Sequence, residues 1–298
     1  MRLHHGKAPR GVESSCPGEC RLRYAYACDS GEPGAGASEE RVRGALSALG
    51  LSLEELGEPA GCAASGPGMN GIAAYVRVAR LLGRAAGRLA LLPDSGATPT
   101  VVTPCAACAR SLSRAAESLA THAELRDAVS EELSSEGLPL HASAVRVRHL
   151  LDVLRDDIGA GAIRATVRRP LAGLRVAPFE GCRRTAGEPD EGGEEPALAE
   201  LLAALGADVV EFPLRLHCCG GRAAEASEET ATSLHVRLHR SAAEHGADVV
   251  ATACTRCARN LAGGRDAVNR RYGTLFEIPV VHFTALLADA LAEDGVRS

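Results

Sequence analysis

Tryptophan is absent from this chain of 298 residues, methionine occurs twice, and aromatic residues make up 3%. With apolar residues at 46%, a core for two domains of ordinary size is available. It must be built from alanine, leucine and valine. No apolar run approaches the ~18 residues of a spanning helix. The opening Met1-Arg-Leu-His-His-Gly has no apolar stretch of the secretory kind. The expected location is the cytoplasm, with peripheral attachment to a membrane complex left open. A net charge of −5 lacks the positive excess of a nucleic-acid surface. No Gly-x-Gly-x-x-Gly with an acidic ribose ligand, no Walker loop and no Gly-x-Ser-x-Gly occurs. These absences argue against NAD, FAD or ATP bound here, so electrons must come from a partner.

Against these absences stand eleven cysteines. Their odd number and their grouping into CxxC and CC pairs read as metal-binding or redox-active in a reducing compartment. Five close the chain: Cys182, then Cys218-Cys219 followed by Gly220-Gly221, then Cys254-Thr-Arg-Cys257. A softer copy precedes them: Cys28, Gly61-Cys62, and Cys105-Ala-Ala-Cys108. Cys28 and Cys182, Cys62 and Cys219, and Cys105 and Cys254 are 154, 157 and 149 positions apart. A near-constant offset indicates an internal repeat. Cys16-Pro-Gly-Glu-Cys20, with His4 and His5, lies in a polar leader and reads as incidental thiols or an extra metal pair.

Strand patterns end at cysteines. Residues 22–28, 101–105, 174–182 and 248–254 each read as a strand running into one. Helical spacing covers 39–49, 72–92, 106–119, 197–205 and 231–244, and residues 121–168 read as mainly helical. Ile278-Pro-Val-Val-His282 reads as a last strand before a helix through Leu291. Pro170 marks the half-boundary. The expected fold is α/β: two tandem pseudo-repeated domains, each a small mainly parallel sheet with flanking helices. The boundaries are 1–22 (N-terminal extension), 23–169 and 170–298. In such sheets, sites gather beyond the carboxyl ends of the strands. Arg77, Arg80, Arg84 and Arg88 share one helix face, either solvated or a docking surface for an acidic partner or anionic lipid.

A CxxC turn lets two thiolates reach one metal, with further ligands from elsewhere. Four soft sulfurs suit zinc and iron–sulfur equally. Five exceed what an ordinary cubane or structural zinc takes. Neighbouring side chains on a strand point apart, so Cys218 and Cys219 share a site only if the backbone turns at Gly220-Gly221.

The order of lone Cys, Cys-Cys-Gly and Cys-x-x-Cys resembles the CCG-type cysteine-rich domain. The chain as a whole looks like the B subunit of heterodisulfide reductase. The matching stretches are Tyr24-Ala-Tyr26, Val102-Thr-Pro-Cys-Ala-Ala-Cys108, Val147-Arg-His-Leu-Leu-Asp-Val153, Pro170 to Pro178 before Gly181-Cys182, Thr252-Ala-Cys254 and Pro279-Val-Val-His-Phe-Thr284. The resemblance implies two such domains, each with a noncubane [4Fe-4S] cluster on five cysteines. It implies single electrons passed to a disulfide, next to a ferredoxin-like iron–sulfur subunit and a flavin-containing subunit. Carried over, Cys182, Cys218, Cys219, Cys254 and Cys257 ligate the C-terminal cluster, which is the redox centre. The N-terminal half departs from the pattern, with Gly61 in place of the first paired cysteine and Ala63 in place of its glycine. Cys28, Cys62, Cys105 and Cys108 are left to hold a conventional iron–sulfur cluster, a [2Fe-2S] cluster, zinc or nothing.

The expected function is thus the iron–sulfur subunit of a heterodisulfide reductase-like oxidoreductase, acting on a disulfide or related sulfur substrate. One alternative is the CCG subunit of a membrane-peripheral dehydrogenase of the succinate/fumarate, glycolate or glycerol-phosphate type, feeding quinone. The other is a non-enzymatic zinc module. His217, before the cysteine pair, reads as a polar strand-end residue or as a proton donor to a departing thiolate. His282 reads as a satisfied core histidine. Arg183 and Arg184 are either solvated or a lure for an anionic substrate.

Overall fold

Short strands alternate with helices along the chain, and the strands gather into two four-stranded parallel sheets. The first contains β1 (Leu22–Tyr26), β2 (Leu51–Glu55), β3 (Thr100–Thr103) and β4 (Arg146–His149), in the order β2-β1-β3-β4. The second contains β5 (Arg175–Phe179), β6 (Asp208–Val209), β7 (Val249–Thr252) and β8 (Val280–His282), in the order β6-β5-β7-β8. The strand pairs in both sheets run parallel. Parallel neighbours need a crossover between them, and helices supply it. In the first half these are α1 (Glu39–Ala48), α2 (Ile72–Ala90), α3 (Ala106–Thr121), α4 (Ala123–Ser135), α5 (Leu150–Val153) with a π-helical turn at Leu154–Ile158, and α6 (Ala160–Thr166). In the second they are α7 (Ala197–Ala204), α8 (Glu228–Glu244), α9 (Thr255–Tyr272) and α10 (Phe283–Leu291). This computed structural model describes residues 22–26, 39–55, 71–90, 98–135, 145–181, 197–221 and 227–292.

Strands covered on both faces read as unbroken apolar runs. β3 (Thr-Val-Val-Thr) and β7 (Val-Val-Ala-Thr) are buried at every position. The main core draws on both halves. Leu46 of α1, Leu150 of α5 and Leu154 pack in one cluster with Leu198 and Leu202 of α7 and Phe283 and Leu287 of α10. Each is fully buried, which stabilises by roughly 1.5–3 kcal/mol per side chain. Surface contacts tie the same elements, with an ion pair between Arg41 and Asp289.

Two expectations change. The mainly helical reading of 121–168 omitted β4, a four-residue strand with Arg146 and Arg148 on it. Two charges in four residues conceal a strand from apolar periodicity, and pairing with β3 decides it. The arginine stripe of α2 is not a uniform solvated face either. Arg77 and Arg88 are exposed, whereas Arg80 and Arg84 are half-buried. β1 begins at Leu22, where the strand pattern of the sequence begins.

Candidate metal centre

Each CxxC turn stands where a central strand hands the chain to a helix. Cys105 follows β3 and is the N-cap of α3, and Cys254 follows β7 and is the N-cap of α9. The local bonding repeats. Cys105 N donates to Thr103 Oγ1 and Cys254 N to Thr252 Oγ1, both at 3.3 Å. Cys108 and Cys257 come three residues later, hence on the same helix face as the first cysteine.

The two turns meet across the halves. Cys105 Sγ lies 3.8 Å from Cys254 Sγ, and Ala106 N donates to Ala253 O at 3.2 Å. Cys108 neighbours Cys105, Cys257 neighbours Cys254, and Cys219 neighbours Cys257, each near enough to shift the thiol beside it. Five sulfurs thus form a row, Cys108–Cys105–Cys254–Cys257–Cys219, none more than 7% exposed. The cysteine sets of the two halves adjoin through their CxxC turns.

The CC pair splits, with Cys219 buried and Cys218 exposed. The backbone turns at Gly220, whose φ is +78° and whose N–H donates to Cys218 Sγ at 3.3 Å. A β-carbon there would stand 3.3 Å from Ala231 Cα. His217 is exposed on the turn before the pair. Behind Cys219, its carbonyl accepts from Asn260 Nδ2 at 2.6 Å and lies 3.0 Å from His235 Nε2. Arg256 Nη2 donates to Gly221 O at 3.2 Å. Gly264 makes room for the His235 ring, since a β-carbon there would be 2.2 Å from Nδ1. A cavity of about 530 Å³ opens beside this loop, between α8 and α9, with Arg256, Arg259 and Asn260 in its wall. The sequence reading missed His235, Arg256 and Asn260. They reach the loop from two helices and carry no spacing signal.

Crowded buried thiols cannot all ionise, and the row sorts itself. Hydrogen bonds from Cys108 and then Cys254 push the Cys105 thiol well down. The hydrogen bond to Cys105 pushes Cys254 up to about 12. Cys219 drops to about 6 through its bond with Cys257, helped by the Gly221 N–H and Asn260. Cys257 rises well above the usual range through the same bond. Thiolates held this deep call for a cation. Soft sulfur donors suit iron–sulfur or zinc. The Thr255 hydroxyl, between Cys254 and Cys257, is buried with no hydrogen-bond partner among the described residues, so a sulfur-rich group there would give it an acceptor. Among the described residues, no three His, Cys, Asp or Glu side chains already stand in metal-holding geometry.

Cys28, Cys62 and Cys182 lie outside the described residues, as do Cys16, Cys20, Arg183 and Arg184. The chain does reach Gly181 beside the row: a β-carbon there would lie 3.4 Å from Cys257 Sγ. His282 is buried at the end of β8.

Residues 176–262 match the family described as CCG, cysteine-rich domain. The chain is 31% identical to the B subunit of the ferredoxin/F(420)H(2)-dependent CoB-CoM heterodisulfide reductase of Methanosarcina acetivorans, over 64% of this chain and 65% of that one. It therefore spans just under two thirds of that relative's length. It is 30% identical to the 8-methylmenaquinol:fumarate reductase membrane anchor subunit of Wolinella succinogenes, over 64% of this chain and 67% of the other. A protein of Archaeoglobus profundus, described as like the heterodisulfide reductase B subunit, is 27% identical over 86% of both chains, so the likeness takes in both halves.

Proposed function

Because the chain belongs to the CCG cysteine-rich family that includes the B subunit of heterodisulfide reductase, we propose that it is the electron-transferring iron–sulfur subunit of a heterodisulfide reductase-like oxidoreductase complex. The row of buried sulfurs beyond β3 and β7 carries this reading. Cys182, Cys218, Cys219, Cys254 and Cys257 would hold a [4Fe-4S] cluster of the noncubane kind. Cys28, Cys62, Cys105 and Cys108 would hold a second iron–sulfur cluster or zinc. Such a group supplies one-electron steps.

The chain's own residues do the rest. The buried walls keep water from the sulfurs. Asn260 and His235 fix the Cys219 carbonyl, and Arg256 offsets negative charge at Cys219. Two electrons arriving singly, with two protons, convert a disulfide RSSR′ into RSH and R′SH. The electrons come from a ferredoxin-like iron–sulfur subunit, itself supplied by a flavin-containing subunit, in the cytoplasm. His217, exposed beside Cys218, would give a proton to a leaving thiolate. Residues 23–169 and 170–298 would be two CCG-type domains, supported by the shared strand order.

Anaerobic purification with iron and acid-labile sulfide quantification and EPR tests the proposal. Iron and sulfide are expected, with the C-terminal signal lost in Cys219→Ser. Zinc without iron or sulfide would overturn it.

The likeness to the Wolinella protein, a menaquinol:fumarate reductase subunit, favours a second reading, a peripheral CCG subunit exchanging electrons with a quinone or quinol, of which feeding quinone is one direction. Among the described residues no helix is long and apolar enough to cross a membrane. Binding to anionic liposomes, with electron exchange with a quinone analogue and no disulfide turnover, would select this reading over disulfide reduction.

A further inference from the structure

His149 and His282 occupy matching places. Each ends the fourth strand of its half, β4 or β8, and caps the helix that follows, with φ −78° and ψ 140° in both. Both rings are buried, and Phe283 packs against both, with centroids at 6.1 and 4.6 Å. In each ring Nδ1 accepts a backbone N–H from two residues on: Leu151 N at 3.1 Å and Thr284 N at 3.4 Å. The Thr284 hydroxyl, 2.7 Å from His282 Nδ1, donates there as well. An accepting Nδ1 places the proton of a neutral ring on Nε2.

From Nε2 the two rings cross over. His149 donates to Ala253 O at 2.9 Å, sharing the bond with Pro104 O at 3.0 Å. His282 donates to Pro104 O at 3.0 Å. Ala253 and Pro104 are the residues just before Cys254 and Cys105. Each histidine, anchored in one half, therefore grips the peptide group that carries the first CxxC cysteine of the other half.

We infer that His149 and His282 are reciprocal positioning residues, which lock the two CxxC turns at a fixed spacing so that displacement of the cysteine pair in one half is carried into the other. The inference deepens the redox reading and rests on it for its functional consequence, which is two centres tied into one electron path. The mechanical lock itself needs no metal.

The test uses the full chain, prepared anaerobically, and hydrogen-exchange mass spectrometry. Asparagine at either position keeps the helix cap at Nδ1 but cannot reach the distant carbonyl, whereas glutamine keeps a donor near Nε2. His149→Asn is expected to speed exchange of the amides at 253–258 by about three- to tenfold, the loss of one hydrogen bond. It should leave strand 146–149 nearly unchanged. His282→Asn is expected to do the same at 104–109. The glutamine variants should exchange like the parent. In iron-loaded protein, the EPR line shape should change in the asparagine variants and return in the glutamine ones. Should an asparagine variant not fold, serine, which also caps the helix and has no donor near the distant carbonyl, reads the same way. Loosening confined to the substituted half, or equal in both halves with no rescue by glutamine, would overturn the inference. Absence of iron in the metal analysis would sink the redox reading and leave this exchange result standing.

Discussion

Burial keeps the His239 imidazole uncharged, with its pKa pushed down to about 4, and His235 on its own helix and Arg265 on α9 reinforce the shift. The ring stacks on Phe276 at 5.7 Å and lies 3.4 Å from Leu261 O through Nε2. An unfolded histidine takes its proton near 6.5. The unfolded state therefore binds more protons between pH 6.5 and 4, and the folded state loses ground as pH falls through that window. The expected loss is on the order of 3 kcal/mol by pH 4. His239→Phe should flatten that part of the curve in denaturant titrations run from pH 7 to 4. A second residue is tighter still. Gly264→Ala drives a methyl into His235, and overpacking of this kind costs about 1–3 kcal/mol. A lower urea midpoint with an unchanged slope would register it.

At the scale of elements, the strand ends at Cys105 and Cys254 were legible because β3 and β7 are short buried runs rich in β-branched residues, each followed by a helix. The turn at Gly220 was legible from the Gly220-Gly221 pair, but the two cysteines before it part, one exposed and one buried. Gly220→Ala places a side chain at positive φ, at roughly 1–2 kcal/mol, and presses on Ala231. Metal content per chain should drop while far-ultraviolet circular dichroism holds. Other parts were illegible for physical reasons. β4 carries two arginines in four residues, and its strand state comes from its partner. The polar α9 gave no apolar stripe to mark Asn260 as a support for Cys219. The meeting of Cys105 with Cys254 depends on how the two halves pack, which spacing along the chain does not encode.

For the whole molecule, the shared core makes the halves one cooperative unit. Phe283 touches elements of both, and Phe283→Ala should cost about 3–5 kcal/mol. The full chain is expected to melt in one transition by calorimetry. Residues 170–298 alone, with Leu198, Leu202 and Leu287 stripped of Leu46, Leu150 and Leu154, should lack a cooperative transition. The same packing of the halves brings the starts of α3 and α9 to one spot, since each begins at a cysteine of the contacting pair. The amino end of a helix carries roughly half a positive charge. Two such ends aimed at neighbouring sulfurs create a local field that favours added negative charge by about 0.3–1 kcal/mol per helix. Whatever occupies that spot is held by the architecture towards its electron-rich form, before any side chain contributes.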